Sequence, residues 1–494
     1  MSGPRRLGPT SPRTALHGRD ATRRIETQAA RDLPAGTLMA RAGRSVARLA
    51  CAVAPHAERV WIVAGPGNNG GDGFEAATHL VDQDLEVVVT WAGDAAALPD
   101  DARAAHARAL AAGVTVVDHP PALPGPRDLV IDALLGVGAT RAPDTRMAAW
   151  IACINAAPCA VLAVDLPTGL DADTGHRFGT TAVTATHTLT LLTVKPGLFT
   201  GHGRDACGTV WFDDLGVGTD AHPAEAWRPA APPALASLHA HHKGSYGDVL
   251  VVGGARGMAG AAVLAARAAH AGGAGRVPVD LLDDTAPALR GLRPELVFRA
   301  TRPRATLPRD AVVVAGCGGG DPIVPLLPAL LHDARRLVLD ADALNAVAAD
   351  DSLARRLAAR AARGQDTVLT PHPLEAARLL GRTVADVQAH RLAAAVALAE
   401  ACRCTVVLKG SGSVVATPGE PPAINPTGHA SLATAGTGDV LAGWLGGRWA
   451  AADAPGCVAA VRAVWEHGAA ADRTAVHPMR AADLVDALLH APAG

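Results

Sequence analysis

The sequence predicts an α/β protein made of two consecutive domains. Three observations carry this: the length, an alternation of short apolar runs with helix-like stretches, and a Pro/Ala/His-rich break near the middle. At 494 residues the chain exceeds one ordinary domain, and two of about 200–270 residues are expected. Hydrophobic residues make up 49% of the chain, enough for two large cores.

Residues 1–24 hold six arginines, one Asp and several Pro and Gly. They show no apolar face, so a disordered tail is expected rather than a targeting helix. A first domain over 25–220 follows. Its candidate strands are 59–64 (RVWIVA), 85–91, 114–117, 128–132, 160–164, 187–194 and 208–212, with helices at 71–82, 100–112 and 145–156 among them. Strands alternating with helices imply a parallel sheet covered on both faces. Residues 221–240 lie inside the Pro/Ala/His-rich stretch 216–243 and read as a linker. A second domain over 241–494 restarts the alternation, with strands at 248–252, 311–315, 336–340, 366–370 and 405–409. It shows no repeat of the first.

The net charge is −2, aromatics are 3% and there is one Tyr. This excludes a nucleic-acid or polybasic membrane partner and disfavours base-stacking surfaces. The eight cysteines form no CxxC pair, and a reduced, cytoplasmic setting is the simplest expectation. No run of 18 apolar residues is free of charge or Pro/Gly breaks, so no membrane span is expected.

Residues 65–75 read GPGNNGGDGFE, between the first strand and a helical stretch. The glycines satisfy a dinucleotide fingerprint, but with 52 glycines in the chain chance supplies it about 0.6 times. The loop also departs from a plain pyrophosphate cradle. Asp72 is expected in the first helical turn, where a fixed carboxylate repels phosphate or demands a cation. A blander alternative is an Asn/Gly turn with Asp72 capping the helix. Two more loops follow strands of the same sheet: Asp132 with ALLGVGATRAP, and DLPTGLDADTG at 165–175. In such a sheet ligands sit outside the carboxyl ends of strands. Asn69, Asp132 and Thr168 can supply hard oxygen ligands to a cation, and Asp165 can act as acid or base. Each aspartate alone can also be a helix cap.

The runs Asn68-Asn69-Gly70-Gly71-Asp72-Gly73, Asp132 to Gly138 and Asp165 to Thr168 resemble the three motifs of NAD(P)H-hydrate epimerases. LMARAG (38–43) is similar to the family's N-terminal helix motif, with Ala40 where Glu is usual. The resemblance spans roughly residues 20–215. It implies that Asn68, Asn69, Gly70, Gly71, Asp72, Gly136, Val137, Gly138, Ala139, Thr140, Arg141 and Ala142 contact a hydrated nucleotide. It further implies that Asn69, Asp132 and Thr168 bind potassium, and that Asp165 serves substrate binding or proton transfer.

The second domain carries its own constellation. AGTGDVLAGWLG (435–446) places a Gly-Thr-Gly-Asp turn at a helix start, with free N–H groups for an oxyanion beside a proton acceptor. Lys409 ends a strand in VVLKGSGS and opens a loop suited to phosphate. A glycine turn in 242–262, His372 between two prolines and the acidic pair of DADALN (340–345) add to it. Together they resemble ADP-dependent NAD(P)H-hydrate dehydratases, over about residues 230–490. That resemblance implies Asp439 as catalytic base and Gly436, Thr437 and Gly438 as an anion hole. It implies that Lys409, Gly410, Ser411, Gly412, Ser413 and Gly438 hold the adenine nucleotide, and that Ala261, Gly318, His372 and Asp439 contact the hydrate. His429 and Ser431 stand where the family usually has Asn and Gly, and Cys317 and Gly319 where it has Pro and Leu.

The two resemblances imply a Rossmann-like three-layer αβα domain followed by a ribokinase-like α/β domain. They imply a bifunctional repair enzyme acting on hydrated NADH or NADPH, with potassium at one site and magnesium with ADP at the other. A homo-oligomer is expected. Two rival readings remain at this stage. A ribokinase-type small-molecule kinase shares the GTGD turn but not NNGGDG. A scaffold with an inactive epimerase-like fold has no use for intact Asp132, Asp165 and Asp439.

Overall fold

The computed structural model describes residues 3–83, 85–219, 221–235, 238–283, 294–299, 310–452, 454–474 and 479–490. Met1 and Ser2 of the expected tail and residues 236–237 of the expected linker lie outside the described residues. The chain divides into two compact units, 1–227 and 228–494, a boundary inside the Pro/Ala/His-rich stretch.

The first unit runs β1 (Arg5–Arg6), β2 (Thr14–Leu16), α1 (Arg19–Asp32), α2 (Thr37–Val53), β3 (Arg59–Ala64), α3 (Asn68–Val81), β4 (Glu86–Thr90), α4 (Asp100–Ala111), β5 (Thr115–Val117), β6 (Leu129–Ala133), α5 (Thr145–Ala156), β7 (Ala160–Val164), β8 (His187–Leu191), α6 (Gly203–Ala206) and β9 (Thr209–Asp213). Its sheet has the order β1-β9-β8-β7-β6-β3-β4-β5. All pairs are parallel except β1 with β9. Alternation decides which face each side chain joins. Val60, Ile62 and Ala64 of β3 enter the core under α2, α3 and α4, while Trp61 and Val63 point to the opposite core with Trp150 and Ile151 of α5. Burial on both faces explains why these strands read as continuous apolar runs.

The expected disordered tail is a correction: β1, β2 and the start of α1 lie within it. The Arg5 guanidinium sits 5.1 Å from the Phe212 ring centroid and that of Arg13 3.8 Å from the Trp227 centroid. Cation–π partners this distant in sequence leave no local pattern to read.

The second unit follows β10 (Ala226–Arg228), which straddles the boundary. It runs β11 (Val249–Gly253), α7 (Ala259–Ala271), β12 (Pro278–Leu281), β13 (Val297–Phe298), β14 (Val312–Ala315), α8 (Leu327–Asp333), β15 (Arg336–Leu339), α9 (Asp342–Ala349), α10 (Asp351–Ala358), β16 (Asp366–Leu369), α11 (Pro373–Leu380), α12 (Val384–Ala389), α13 (Arg391–Cys402), β17 (Thr405–Leu408), β18 (Val414–Ala416), β19 (Ala423–Ile424), α14 (Thr437–Ala451), α15 (Gly456–Thr474) and α16 (Ala481–Leu489). Its strands lie in the order β13-β12-β11-β14-β15-β16-β17-β18-β19, parallel from β13 to β17. Two cores sandwich this sheet, one built with α7, α14, α15 and α16, the other with α8 to α13. Among the described residues no helix is long and apolar enough to cross a membrane.

Candidate active sites

In the first unit β3 and β6 are neighbours, yet the chain leaves β3 toward β4 and β6 toward β7. The opposite departures open a crevice at their carboxyl ends. The start of α3, the turn after β6, the residue after β7 and Lys195 after β8 all gather there.

Helix α3 begins at Asn68, with Gly67 as its cap residue and no side-chain cap bond. Its first N–H groups therefore remain open to a ligand. Asp72 falls in the second turn and caps nothing, contrary to the expected first-turn position. It is recessed, and desolvation, reinforced by the carboxylates of Asp165, Glu26 and Glu75, pushes its pKa well above the ordinary value. The charge objection to a phosphate is correspondingly weaker. The glycines serve packing. A Cβ at Gly70 would lie 2.1 Å from the Gly65 carbonyl oxygen, and one at Gly71 2.7 Å from Met39 Cε. Gly71 N–H already donates to Gly67 O at 3.1 Å, so this residue has no free backbone donor for a ligand. Asn69 does face the crevice: a Cβ at Gly136 would fall 2.7 Å from its Oδ1 and 3.1 Å from Asp165 Oδ2. Its Nδ2 is buried without a hydrogen-bond partner.

Asp132, the penultimate residue of β6, is fully buried. Thr168 N and Oγ1 donate to its two oxygens at 2.8 and 2.7 Å, and Leu134 N donates at 3.2 Å. Burial outweighs these bonds and raises its pKa to about 6. Asp132 and Thr168 therefore form one oxygen-rich pair, and Asn69 lines the neighbouring wall.

Asp165 adopts φ +69, a left-handed conformation unusual for a residue with a side chain. This aims its carboxylate across the crevice, where Val137 N donates to Oδ2 at 2.8 Å. The other oxygen meets the ammonium group of Lys195, a fully buried side chain. Lys195 Nζ also donates to Leu191 O at 2.6 Å and Thr193 O at 3.0 Å. Sequence reasoning passed over Lys195, though a charge closing the apolar run HTLTLLTV was a signal. It also passed over α1. Glu26 lies close enough that burial and the Asp165 charge raise its pKa. Arg19 Nη1 donates to Ala139 O at 3.2 Å, and Arg23 Nη2 would stand 2.9 Å from a Cβ at Gly138. Thr140, Arg141 and Ala142 are exposed at the rim.

The second unit repeats the logic with β11 and β14, from which the chain departs in opposite directions. Helix α14 starts after Gly436, at φ +91, with no side-chain cap bond. Thr437 Oγ1 is spent on Leu432 O and Thr434 O at 2.8 and 2.9 Å. Asp439 follows in the first turn, and desolvation with the nearby Asp340 charge raises its pKa to about 6. Lys409 Nζ donates to Asp340 Oδ1 at 2.7 Å and would stand 3.2 Å from a Cβ at Gly438. Burial opposes its charge, but Asp340 and Glu375 outweigh burial and hold its pKa up. The loop beyond it turns through Gly410 (φ +135) and Gly412 (φ +62), pinned from below by buried Arg391, whose Nη2 donates to Lys409 O at 3.2 Å. Ser411 is exposed, and Ser413 Oγ donates to Gly410 O at 3.3 Å. Gly318 packs against Ala261, its Cβ position 2.9 Å from the Ala261 Cβ.

His372 caps α11. Its Nδ1 accepts from Leu374 N and Glu375 N at 3.1 and 3.2 Å, and its Nε2 lies 3.1 Å from Glu375 Oε1. Both nitrogens are thus engaged, leaving the exposed ring face for a ligand. Glu375, raised to about 7 by burial, was not singled out from sequence.

Two families match the chain. The one described as NAD(P)H-hydrate dehydratase covers residues 249–491, and the one described as YjeF-related protein N-terminus covers residues 35–197. The bifunctional NAD(P)H-hydrate repair enzyme of Coxiella burnetii is 35% identical over 452 residues, covering 89% of this chain and 90% of its own. That of Escherichia coli K12 is 34% identical over 479 residues, covering 91% and 88%. A crystal structure of ADP/ATP-dependent NAD(P)H-hydrate dehydratase from Bacillus subtilis, co-crystallised with ATP and Mg2+, is 28% identical. It covers 52% of this chain and 92% of its own, with a TM-score of 0.45.

Proposed function

The chain belongs to the family of bifunctional NAD(P)H-hydrate repair enzymes, and from that premise we propose how its residues divide the work. It repairs hydrated NADH and NADPH: it interconverts the R and S epimers and dehydrates the S epimer with a nucleotide. In our reading the unit holding the Asp165–Lys195 pair is the epimerase and the unit holding Asp439 the dehydratase.

Carbon 6 of the hydrated ring bears both the ring nitrogen and the hydroxyl. Its configuration is lost when one of those two bonds opens and is reset when it closes. Either route moves a proton at the hydroxyl. Asp165 carries that proton, Lys195 holds the carboxylate in place, and the open start of α3 receives the nucleotide's phosphates. The hard oxygens of Asp132, Thr168 and Asn69 suit potassium, whose charge would steady the substrate's oxygens.

In the other unit Asp439 takes the proton of the S-hydrate hydroxyl as its oxygen attacks the β-phosphorus of ADP. AMP leaves, and Lys409 and the N–H groups of Gly438 and its neighbours steady the transferred phosphoryl group; phosphate then departs from carbon 6 with its bonding electrons, and carbon 5 gives up a proton so that the ring double bond forms. The products are NAD(P)H, AMP and phosphate. Magnesium would accompany the ADP phosphates. A hydroxide ion is a poor leaving group, which is why a nucleotide is consumed.

The observation that carries this reading is the juxtaposition of Asp439 with Lys409 and Asp340 at an uncapped helix start. The test supplies mixed NADH hydrates with ADP and follows the near-ultraviolet absorbance of the restored dihydronicotinamide. Full recovery of both epimers is expected. A plateau at the S fraction sinks the epimerase assignment. No recovery, with phosphorylation of a vitamin precursor instead, favours a small-molecule kinase.

A further inference from the structure

Helix α15 buries a histidine against the start of α14. His467 is buried, and its Nε2 lies 3.0 Å from the Thr437 carbonyl oxygen, 30 residues away in sequence. A carbonyl oxygen only accepts, so Nε2 carries the hydrogen and donates. Burial lowers the pKa of the ring to about 4, so at neutral pH the ring is uncharged, with its one hydrogen on Nε2. The backbone that carries His467 is itself held. Thr427 Oγ1 donates to Trp465 O at 2.8 Å, and Asn425 Nδ2 to Val464 O at 3.3 Å. A Cβ at Gly468 would fall 2.4 Å from Thr427 Oγ1, so a glycine beside the histidine admits this close approach.

The Thr437 carbonyl belongs to the same peptide unit as the N–H of Gly438. That unit is planar and trans, so the two groups point in opposite directions and turn together. Whatever fixes the Thr437 C=O therefore also fixes the Gly438 N–H, which meets no acceptor among the described residues. Lys409 Nζ lies beside it, 3.2 Å from where a Cβ at Gly438 would stand. The first peptide of a helix is bonded within the helix on its carbonyl side alone and tilts readily. His467 adds a second partner on that side, so the carbonyl side of the turn is anchored while its N–H side stays open.

We infer that His467 is a positioning residue for dehydration: by holding the Thr437 carbonyl it aims the Gly438 N–H at the phosphoryl group in transfer. The inference rests on the proposed use of that N–H in the dehydratase unit.

The test compares full-length His467→Leu and His467→Gln with the parent in ADP-dependent dehydration of the S hydrate, well below the thermal midpoint of each. Leu fills the space without a donor, and Gln places an amide N–H at the reach of Nε2. Deleting a donor to a developing oxyanion costs about 10²–10³ in rate, and misaiming one costs less. In His467→Leu kcat should fall about tenfold while KM for ADP and for the S hydrate stay within about twofold, the signature of a contact made in the transition state. His467→Gln should keep kcat within about threefold of the parent. Epimerisation should be unchanged in both. A parental kcat in His467→Leu, or an equal fall in His467→Gln, overturns the inference, since a merely structural histidine would move the thermal midpoint and leave kcat alone. If His467→Leu does not fold, His467→Asn takes its place: its amide stops short of Thr437, so kcat should fall there and hold in His467→Gln, and equal values in the two end the inference. The parent separates the two levels. A parent that does not dehydrate the S hydrate with ADP brings down the dehydratase reading and this inference together; an active parent with an equally active His467→Leu brings down the inference alone.

Discussion

The Lys195 ammonium group and the Asp165 carboxylate meet inside the first unit, with the Leu191 and Thr193 carbonyls completing the lysine's surroundings. The pair joins the turn after β7 to the turn after β8. Each charge is tolerable there because the other is present.

Lys195→Met should therefore do two things. It leaves the Asp165 charge unpartnered, which typically costs about 3–5 kcal/mol, read as a lower thermal midpoint for this unit. It also lets the carboxylate swing, so epimerisation should fall about 10²-fold or more. Asp165→Ala should lose epimerisation while dehydration by the other unit continues. Undiminished epimerisation in either variant refutes the assignment.

Asp439→Asn should lose dehydration by about 10²–10⁴-fold and yet stabilise its unit. The folded carboxyl titrates at about 6 against an ordinary value of 3.8. Protonation therefore favours folding: the contribution is complete below the ordinary value and lost as pH rises through about 6. At pH 7–8 the ionised group opposes folding, and its removal should gain about 1–3 kcal/mol, with little gain near pH 4. Thermal denaturation at the two pH values checks both the sign and the window.

Potassium removal offers an independent check on Asp132. Among the described residues its buried carboxylate receives only the Thr168 and Leu134 donors, so a bound cation should stabilise the folded state by mass action. Exchanging potassium for choline at constant ionic strength should lower the thermal midpoint of the first unit and slow epimerisation. Asp132→Asn should abolish that difference. If the midpoint is the same in both salts, there is no cation site.

Gly136→Ala tests the crevice wall. The added carbon meets Asn69 Oδ1 at 2.7 Å, and the flexible amide must give way. Epimerisation should fall about tenfold or more, since a displacement near 1 Å at a reacting site costs up to about 10². Dehydration should be unaffected.

The strands of both units were legible because they are buried on both faces, which writes their length directly into apolar runs such as RVWIVA and LVID. The places of Asn69, Asp132, Asp165, Lys409 and Asp439 were legible because strand ends and glycine turns mark the crevices at the carboxyl ends of the two sheets. What escaped depends on contacts between distant segments. Glu26, Arg19 and Arg23 reach the first crevice from α1, whose start lies in a stretch that read as tail. The start of α3 was displaced by a few residues in sequence because the five glycines of 65–75 suggested a loop. Three of those, at 70, 71 and 73, instead let the helix pack within van der Waals distance of Gly65, Met39 and Ala133. Cys317 was visible only as a departure from a pattern; that it lies beside Asp340 and Asp439 needed the fold.

Helix α14 opens without a side-chain cap, and in the proposed mechanism its leading amides hold the transferred phosphoryl group. The nucleotide then acts as the cap that the chain does not encode, and binding finishes a turn of secondary structure. Hydrogen–deuterium exchange at Thr437, Gly438 and Asp439 should be fast in the free protein and slow sharply when ADP is added, with the middle of the helix unchanged. On that view this enzyme's resting state is a helix with a frayed end, and its cosubstrate is what stitches it.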